Sequence, residues 1–88
     1  LAEGASGAQE RLESAERLRA LRQAVAEELT PRQREVFVAA ALNDVQIDVL
    51  AAELQSTRGA VYKVLHDARR KLRLRLEREG YLEQAEAK

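Results

Sequence analysis

Apolar residues recur every three or four positions along most of the chain, which is the period of one face of an α-helix. In the first third this spacing predicts a helix of about 20 residues. Its expected apolar stripe comprises Leu12, Ala15, Leu18, Leu21, Val25 and Leu29. Ser6 with Gln9 three positions later is a candidate capping box. The small, glycine-containing stretch 1–7 is expected to be a linker or frayed end.

A second helix has the clearest start signal in the chain. Thr30 places a hydroxyl at the N-cap, Pro31 occupies the first helical position, and Gln33 stands third. The helix is expected to end at Asn43 and Asp44, because Asn tolerates a left-handed backbone. Its expected inward positions are Val36, Phe37, Ala40 and Ala41.

Two further helices complete the pattern. A short third helix is predicted from a face of Ile47, Leu50, Ala51 and Leu54. After a turn at 55–57, in which Ser56 or Thr57 can cap, a fourth helix is predicted from Arg58 to about Glu79. Its expected buried stripe is Val61, Leu65, Ala68, Leu72 and Leu76. Gly80 can close this helix, with Tyr81 or Leu82 folding back as the hydrophobic contact.

Composition favours helices over sheet, since Leu, Ala and Val dominate and only three aromatic residues and one proline occur. We therefore expect an all-α fold, a small bundle of about four helices with a helix-turn-helix and no sheet.

The absence of cysteine excludes disulfides and thiolate metal sites, and His66, the single histidine, cannot build a metal site alone. We expect no cofactor. No apolar run approaches the roughly 20 residues that span a bilayer, so we expect no membrane partner.

The net charge is zero, but it is unevenly distributed. Residues 55–78 carry eight basic and two acidic side chains, a net charge of +6, whereas 1–30, 31–54 and 79–88 each carry −2. A local excess of this size is typical of a surface that binds a polyanion.

A short apolar helix, a tight turn and a longer basic helix form a helix-turn-helix, whose second helix enters the major groove of DNA. At 100° per residue, Lys63 lies about 200° around the helix from Val61, and Arg70 and Arg73 are expected to share that outer face. The adjoining side carries Tyr62, His66 and Arg69. The fourth helix is thus expected to bury one face and present a basic one.

Several segments resemble a known family. They are Leu29-Thr30-Pro31-Arg32-Gln33-Arg34-Glu35-Val36-Phe37, Asp48-Val49-Leu50-Ala51-Ala52-Glu53-Leu54, Gly59-Ala60-Val61 and Leu65-His66-Asp67-Ala68-Arg69-Arg70-Lys71-Leu72. In this order and spacing they are similar to region 4 of extracytoplasmic-function sigma factors, which recognises the minus-35 promoter element. The resemblance covers about 29–76 and implies three partners: promoter DNA, the flap tip of the RNA polymerase β subunit, and an anti-sigma factor.

On this resemblance the last helix contacts promoter bases and phosphates, and the protein is expected in the cytoplasm. The expected DNA-binding residues are Thr57, Arg58, Gly59, Ala60, Tyr62, Lys63, His66, Arg69, Arg70 and Arg73. Three features depart from the family pattern. Gln55 replaces a usual turn glycine, so a backbone conformation that a side chain tolerates is expected. Tyr62-Lys63-Val64 replaces a basic-Ser-Arg triplet, and Asp67 replaces a frequent Arg.

Two alternative functions remain open. The chain could act as a protein-interaction module, bound by an anti-sigma factor or polymerase with little DNA contact. It could also be a LuxR-type regulator domain, which opens with the same Leu-Thr-Pro-Arg but usually places a His earlier in the recognition helix.

The basic stretch 69–78 could be only a solvated helix face. Glu35, Asp48 and Glu53 have no nucleophile or phosphate-binding loop beside them in sequence, so neither an enzyme nor a small-molecule substrate is expected.

The expected organisation has three parts. A linker and N-terminal helix occupy 1–28, the helix-turn-helix domain occupies 29–82, and a loose tail occupies 83–88. Phe37 and Tyr81 are expected to fill the core. The first residue is Leu1 and not Met, which favours a fragment of a longer protein.

Overall fold

The computed structural model describes the backbone of residues 2–82 and the solvent exposure of residues 7–82. Its helices are α1 (Ala2–Glu28), α2 (Pro31–Phe37), α3 (Ile47–Glu53) and α4 (Arg58–Arg78), and a π-helical segment, Val38–Leu42, continues α2. This range contains no strand, and the predicted all-α fold is confirmed. None of these helices has the length and hydropathy needed to cross a bilayer. The predicted tail, 83–88, lies outside the described residues.

All four helices contribute to one core. The predicted stripes of α2, α3 and α4 supply Val36, Phe37, Leu50, Ala51, Val61, Leu65, Ala68 and Leu72, and the end of α1 adds Ala24, Val25 and Leu29. Val36 and Ala68 are fully enclosed. The predicted inward residues Ala40, Ala41, Ile47 and Leu54 are partly buried at its margin. The hydrophobic spacing therefore located the core correctly in the last three helices.

The first helix departs from its prediction at both ends. It begins at Ala2, so Ser6 lies inside it and is not an N-cap, and the stretch expected to be a linker is helical. Gly4 and Gly7 weaken a helix but do not prevent one among good helix formers. Between Gly7 and Arg19 no residue is buried, and Leu12 remains 67 % exposed. The N-terminal half of the predicted stripe is therefore unpacked.

The reason is geometric. At 27 residues, or about 40 Å, α1 is the longest of the four helices, and its residues 8–19, all exposed, lie beyond the part that the other helices cover. Burial on α1 starts at Ala20, where those helices begin to cover it. Spacing along a sequence predicts an apolar face but not whether a partner reaches it.

The start of α2 confirms its sequence signal. The Gln33 backbone N–H donates to Thr30 Oγ1 at 3.1 Å, and the Thr30 backbone N–H donates to Gln33 Oε1 at 3.0 Å, which completes a capping box. At the other end, Asn43 has φ −111°, and Asp44 adopts the left-handed backbone with φ +57°. The predicted termination is correct in place, but the left-handed residue is Asp44 and not Asn43.

Arg34 fixes the junction between α1 and α2. Its guanidinium donates to the backbone carbonyls of Val25, Ala26 and Leu29 at 3.2, 3.1 and 3.1 Å. Carbonyls at a helix C-terminus have no partner within the helix, and α1 has no basic residue in its own last turn. A cation from the next helix therefore closes α1 and holds it at the edge of the bundle.

Candidate nucleic-acid interface

The turn between α3 and α4 sets the angle of the helix-turn-helix. The Ser56 N–H donates to the Ala51 carbonyl at 2.8 Å and the Gln55 N–H to that of Ala52 at 3.1 Å. These two bonds form a Schellman motif, whose central residue is left-handed. Gln55 has φ +53°, so the expectation that the turn avoids this conformation is wrong. The turn keeps the geometry that suits glycine and places a side chain in it, at a strain of about 1 kcal/mol.

Thr57 begins α4. Its hydroxyl accepts from the Ala60 N–H at 3.1 Å, which assigns the N-cap to Thr57 and not to Ser56. From this start, Val61, Leu65, Ala68 and Leu72 bury one face of α4, as predicted, but Leu76, the last member of the predicted stripe, is only partly buried. At the other end Gly80 has φ +85°, and the Tyr81 N–H donates to the Leu76 carbonyl at 2.9 Å, as expected of a glycine cap.

All ten residues expected to bind DNA are exposed. The Lys63 and His66 side chains are each 78 % exposed, and the Arg73 side chain is 53 % exposed. Lys63, Arg70 and Arg73 lie away from the buried stripe, as their spacing predicts. Between Arg58 and Arg73, α4 thus presents an exposed surface that is rich in basic residues, which we call the cationic face; its cations are Arg58, Lys63, Arg69, Arg70 and Arg73.

Several cations of this face have an acidic neighbour. Arg58 Nε lies 3.0 Å from Asp48 Oδ1 on α3, and Lys63 Nζ lies 3.5 Å from Asp67 Oδ2. Arg73 Nε is 3.9 Å from Glu77 Oε2. The pairs of Arg58 and Lys63 are solvent-accessible and therefore weak enough for an anionic ligand to displace. The Glu77 side chain in the third pair is only 14 % exposed. Among residues 7–82, Arg69 and Arg70 have no acidic group within 4 Å.

The last two turns of α4 use their cations differently. The Arg75 side chain is only 10 % exposed and bonds Glu79 at 2.6 Å, Glu27 at 2.8 Å and Glu28 at 3.0 Å. Arg78 lies 3.6 Å from Glu28. We call this set, Glu27, Glu28, Arg75, Arg78 and Glu79, the junction cluster, because it joins the end of α1 to the end of α4. Of the eight basic residues counted between 55 and 78, Arg75 is therefore committed to the fold, whereas the Arg78 side chain stays 67 % exposed.

The junction cluster shifts the ionisation of its members. Hydrogen bonds to Glu79, Glu27 and Glu28 raise the pKa of Arg75. The hydrogen bond from Arg75 lowers the pKa of Glu27 below 4.5, and a further one from Gln23 acts in the same direction. Sequence interpretation missed this role of Arg75, although Arg75 lies three positions after Leu72 and seven after Ala68, in register with the buried stripe.

Lys71 makes a further tertiary contact, since its ammonium donates to Gln33 Oε1 at 3.0 Å. The same oxygen accepts from Thr30 in the capping box of α2. Lys71 therefore joins α4 to the first turn of α2 and is partly buried there, so it does not belong to the cationic face.

No curated protein and no solved structure matches the chain. The family described as Sigma-70, region 4 matches residues 18–72, which is more than half of the chain and includes α2, α3 and most of α4. This is a DNA-binding regulatory family and not a family of enzymes. The helix-turn-helix, its capped recognition helix and its cationic face agree with this match: the chain belongs to the sigma-70 region 4 family.

Proposed function

We propose that this chain recognises a minus-35 promoter element as region 4 of an extracytoplasmic-function sigma factor. Region 4 domains act in promoter recognition with RNA polymerase. The observation that carries the proposal is the arrangement of α4, whose aliphatic face is packed on α2 and α3 while its opposite, cationic face is exposed. This is the arrangement that a recognition helix needs to enter the major groove.

The residues of the cationic face have different tasks in this proposal. Lys63 lies one turn inside α4, where recognition helices contact base edges, and its ammonium can meet guanine O6 or N7. Arg70 and Arg73 lie further along the helix and contact phosphates, which position the domain. Thr57 and Arg58 lie at the helix start, beside the DNA backbone. Tyr62, His66 and Arg69 line the flank of the groove.

A second surface, an apolar hollow between α1 and the end of α4, is the proposed site for protein partners. Leu18 and Leu21 of α1, Leu76 of α4, and Tyr81 and Leu82 line an apolar hollow of about 340 Å³. Tyr81, expected to be a core residue, is 37 % exposed at its rim. Exposed apolar surface of this kind marks protein interaction sites. The β-subunit flap tip of cytoplasmic RNA polymerase and an anti-sigma factor are the proposed partners of the domain.

Promoter-dependent transcription with purified polymerase tests the proposal, using a sigma factor that contains this domain. Lys63→Ala and Arg58→Ala are each expected to lower initiation about tenfold, the effect of one lost base or phosphate contact. Glu16→Gln, on the exposed part of α1, is the control and should leave initiation unchanged. Full transcription with both alanine variants would exclude DNA recognition by α4.

A protein-interaction module is the second candidate, favoured by the acidic neighbours of Arg58, Lys63 and Arg73. Co-purification distinguishes it: variants that no longer bind DNA should still recover polymerase or an anti-sigma protein if protein contact is the main task. A LuxR-type domain would bind as a dimer on a palindrome, whereas region 4 binds as a monomer. The family match gives the LuxR alternative no support.

A further inference from the structure

Asp67 stands out on the cationic face because it is an acid among cations. It lies on α4 four residues after Lys63, and its side chain is 43 % exposed. Its two carboxylate oxygens lie 3.5 Å from Lys63 Nζ and 3.6 Å from His66 Nδ1. The carboxylate thus lies between two side chains of its own helix that are expected to contact DNA.

A carboxylate at this place has an electrostatic consequence. In contact with DNA phosphates alone, Asp67 is repelled and Lys63 must leave it to bind a phosphate. In the major groove, however, one G·C pair presents guanine O6 and N7 as acceptors beside the cytosine N4 amino group as a donor. An ammonium and a carboxylate side by side match that edge, since each member of the pair meets a group of opposite polarity.

We propose that Asp67 is a specificity-determining residue, which acts with Lys63 as a pair that recognises a G·C edge and disfavours phosphate-only binding. The inference rests on the proposed promoter recognition and adds the base pair that this part of α4 selects. Asp67 thereby lowers affinity for random DNA, while a site with G·C at the matching position satisfies both side chains.

The test measures binding of the full 88-residue chain to a fluorescent duplex of scrambled sequence over a series of KCl concentrations. Asp67→Asn removes the charge and keeps the shape. This variant should bind the scrambled duplex about fivefold more tightly, because Lys63 is released to contact a phosphate. The slope of log K against log salt should become steeper by about 0.9, the value for one additional phosphate contact. Glu16→Gln makes the same charge change on α1 and should give less than half of that gain.

A double variant isolates the pair. If Asp67 acts through Lys63, Asp67→Asn should give little gain in a Lys63→Ala background. An equal gain in both backgrounds would overturn the pairing. Selection from a duplex library of random sequence gives the second measurement: the unaltered chain should enrich G·C at one position, and Asp67→Asn should relax that position alone. Unchanged enrichment would overturn the inference.

The same binding measurements also distinguish a failure of this inference from a failure of the proposed function. If Lys63→Ala and Arg70→Ala weaken binding but Asp67→Asn changes neither affinity nor selection, promoter recognition stands and the role of Asp67 is wrong. If neither Lys63→Ala nor Arg70→Ala weakens binding to any duplex, α4 does not contact DNA and both proposals fail.

Discussion

The two ends of α4 are equally rich in basic residues but use them in opposite ways. On the cationic face the cations are exposed, and the acids beside Arg58 and Lys63 are solvent-accessible too, whereas Glu77, beside Arg73, is only 14 % exposed. Two residues later, Arg75 is nearly enclosed by three carboxylates. The difference comes from the neighbouring helices: no other element of the described residues covers the cationic face, whereas the acidic end of α1 packs against the end of α4.

The comparison shows that a local charge count overstates the charge available for DNA. The net charge of +6 between 55 and 78 predicted one polyanion-binding surface. The structure divides it into the cationic face and the junction cluster, where Arg75 and Arg78 balance acids of α1 and of the helix end. A cation that already faces a carboxylate in a partly buried pair adds little to phosphate binding.

Replacing one arginine of each part by alanine, in separate variants, should give the largest difference in stability. Arg75→Ala leaves three clustered carboxylates without their common cation and should lower the Tm by roughly 5–10 °C. Arg70→Ala, which removes the same side chain from the exposed face, should lower the Tm by no more than about 2 °C. Thermal unfolding followed by circular dichroism gives both values. Equal Tm losses would remove the distinction between the two parts of α4.

A change at the turn should stabilise the fold without altering any cation. Gln55→Gly relieves the strain at φ +53° and should raise the free energy of unfolding by about 0.5–1 kcal/mol. Gln55→Ala keeps the strain and should change it little, so the pair isolates the backbone effect. Chemical denaturation measures both variants. DNA affinity should stay the same in each, and a lower affinity in Gln55→Gly would show that the turn side chain itself contacts DNA.

Acid should weaken the junction cluster selectively. The pKa of Glu27 is lowered in the folded chain, so its contribution to stability is complete above about pH 4.5 and is lost as the pH falls through the folded value. The unaltered chain should therefore lose roughly 2 °C more Tm between pH 6 and pH 3 than Glu27→Gln does. Parallel pH profiles of the two proteins would show that Glu27 is not held by Arg75.

The sequence was sufficient for the part of the fold that is built from local signals. The Thr30 capping box and the Gly80 cap depend on neighbours a few residues away, and both are present. The aliphatic stripes of α2, α3 and α4 also face the core, although some of their members are only partly buried. The helix-turn-helix and the exposure of Lys63, Arg70 and Arg73 follow from the same periodicity.

Features that depend on distant residues were not predictable in this way. Arg34 bonds carbonyls five to nine residues earlier, and Arg75 bonds carboxylates 47 and 48 residues away. The unpacked half of α1 has an apolar spacing without a covering partner. Gln55 adopts its strained conformation because the Schellman bonds and the packing of α3 on α4 require the bend. In each case tertiary packing determines the outcome.

The salt dependence of DNA binding tests the division of α4 most directly. Binding of the 88-residue chain to a duplex is measured from low to moderate KCl for the unaltered chain, Arg70→Ala and Arg75→Ala, below the Tm of each. If Arg70 contacts phosphate, its loss reduces the slope of log K against log salt by about 0.9. Arg75→Ala should leave the slope unchanged, because its charge is already balanced within the fold. Equal changes in slope, or no change for Arg70→Ala, would contradict the account.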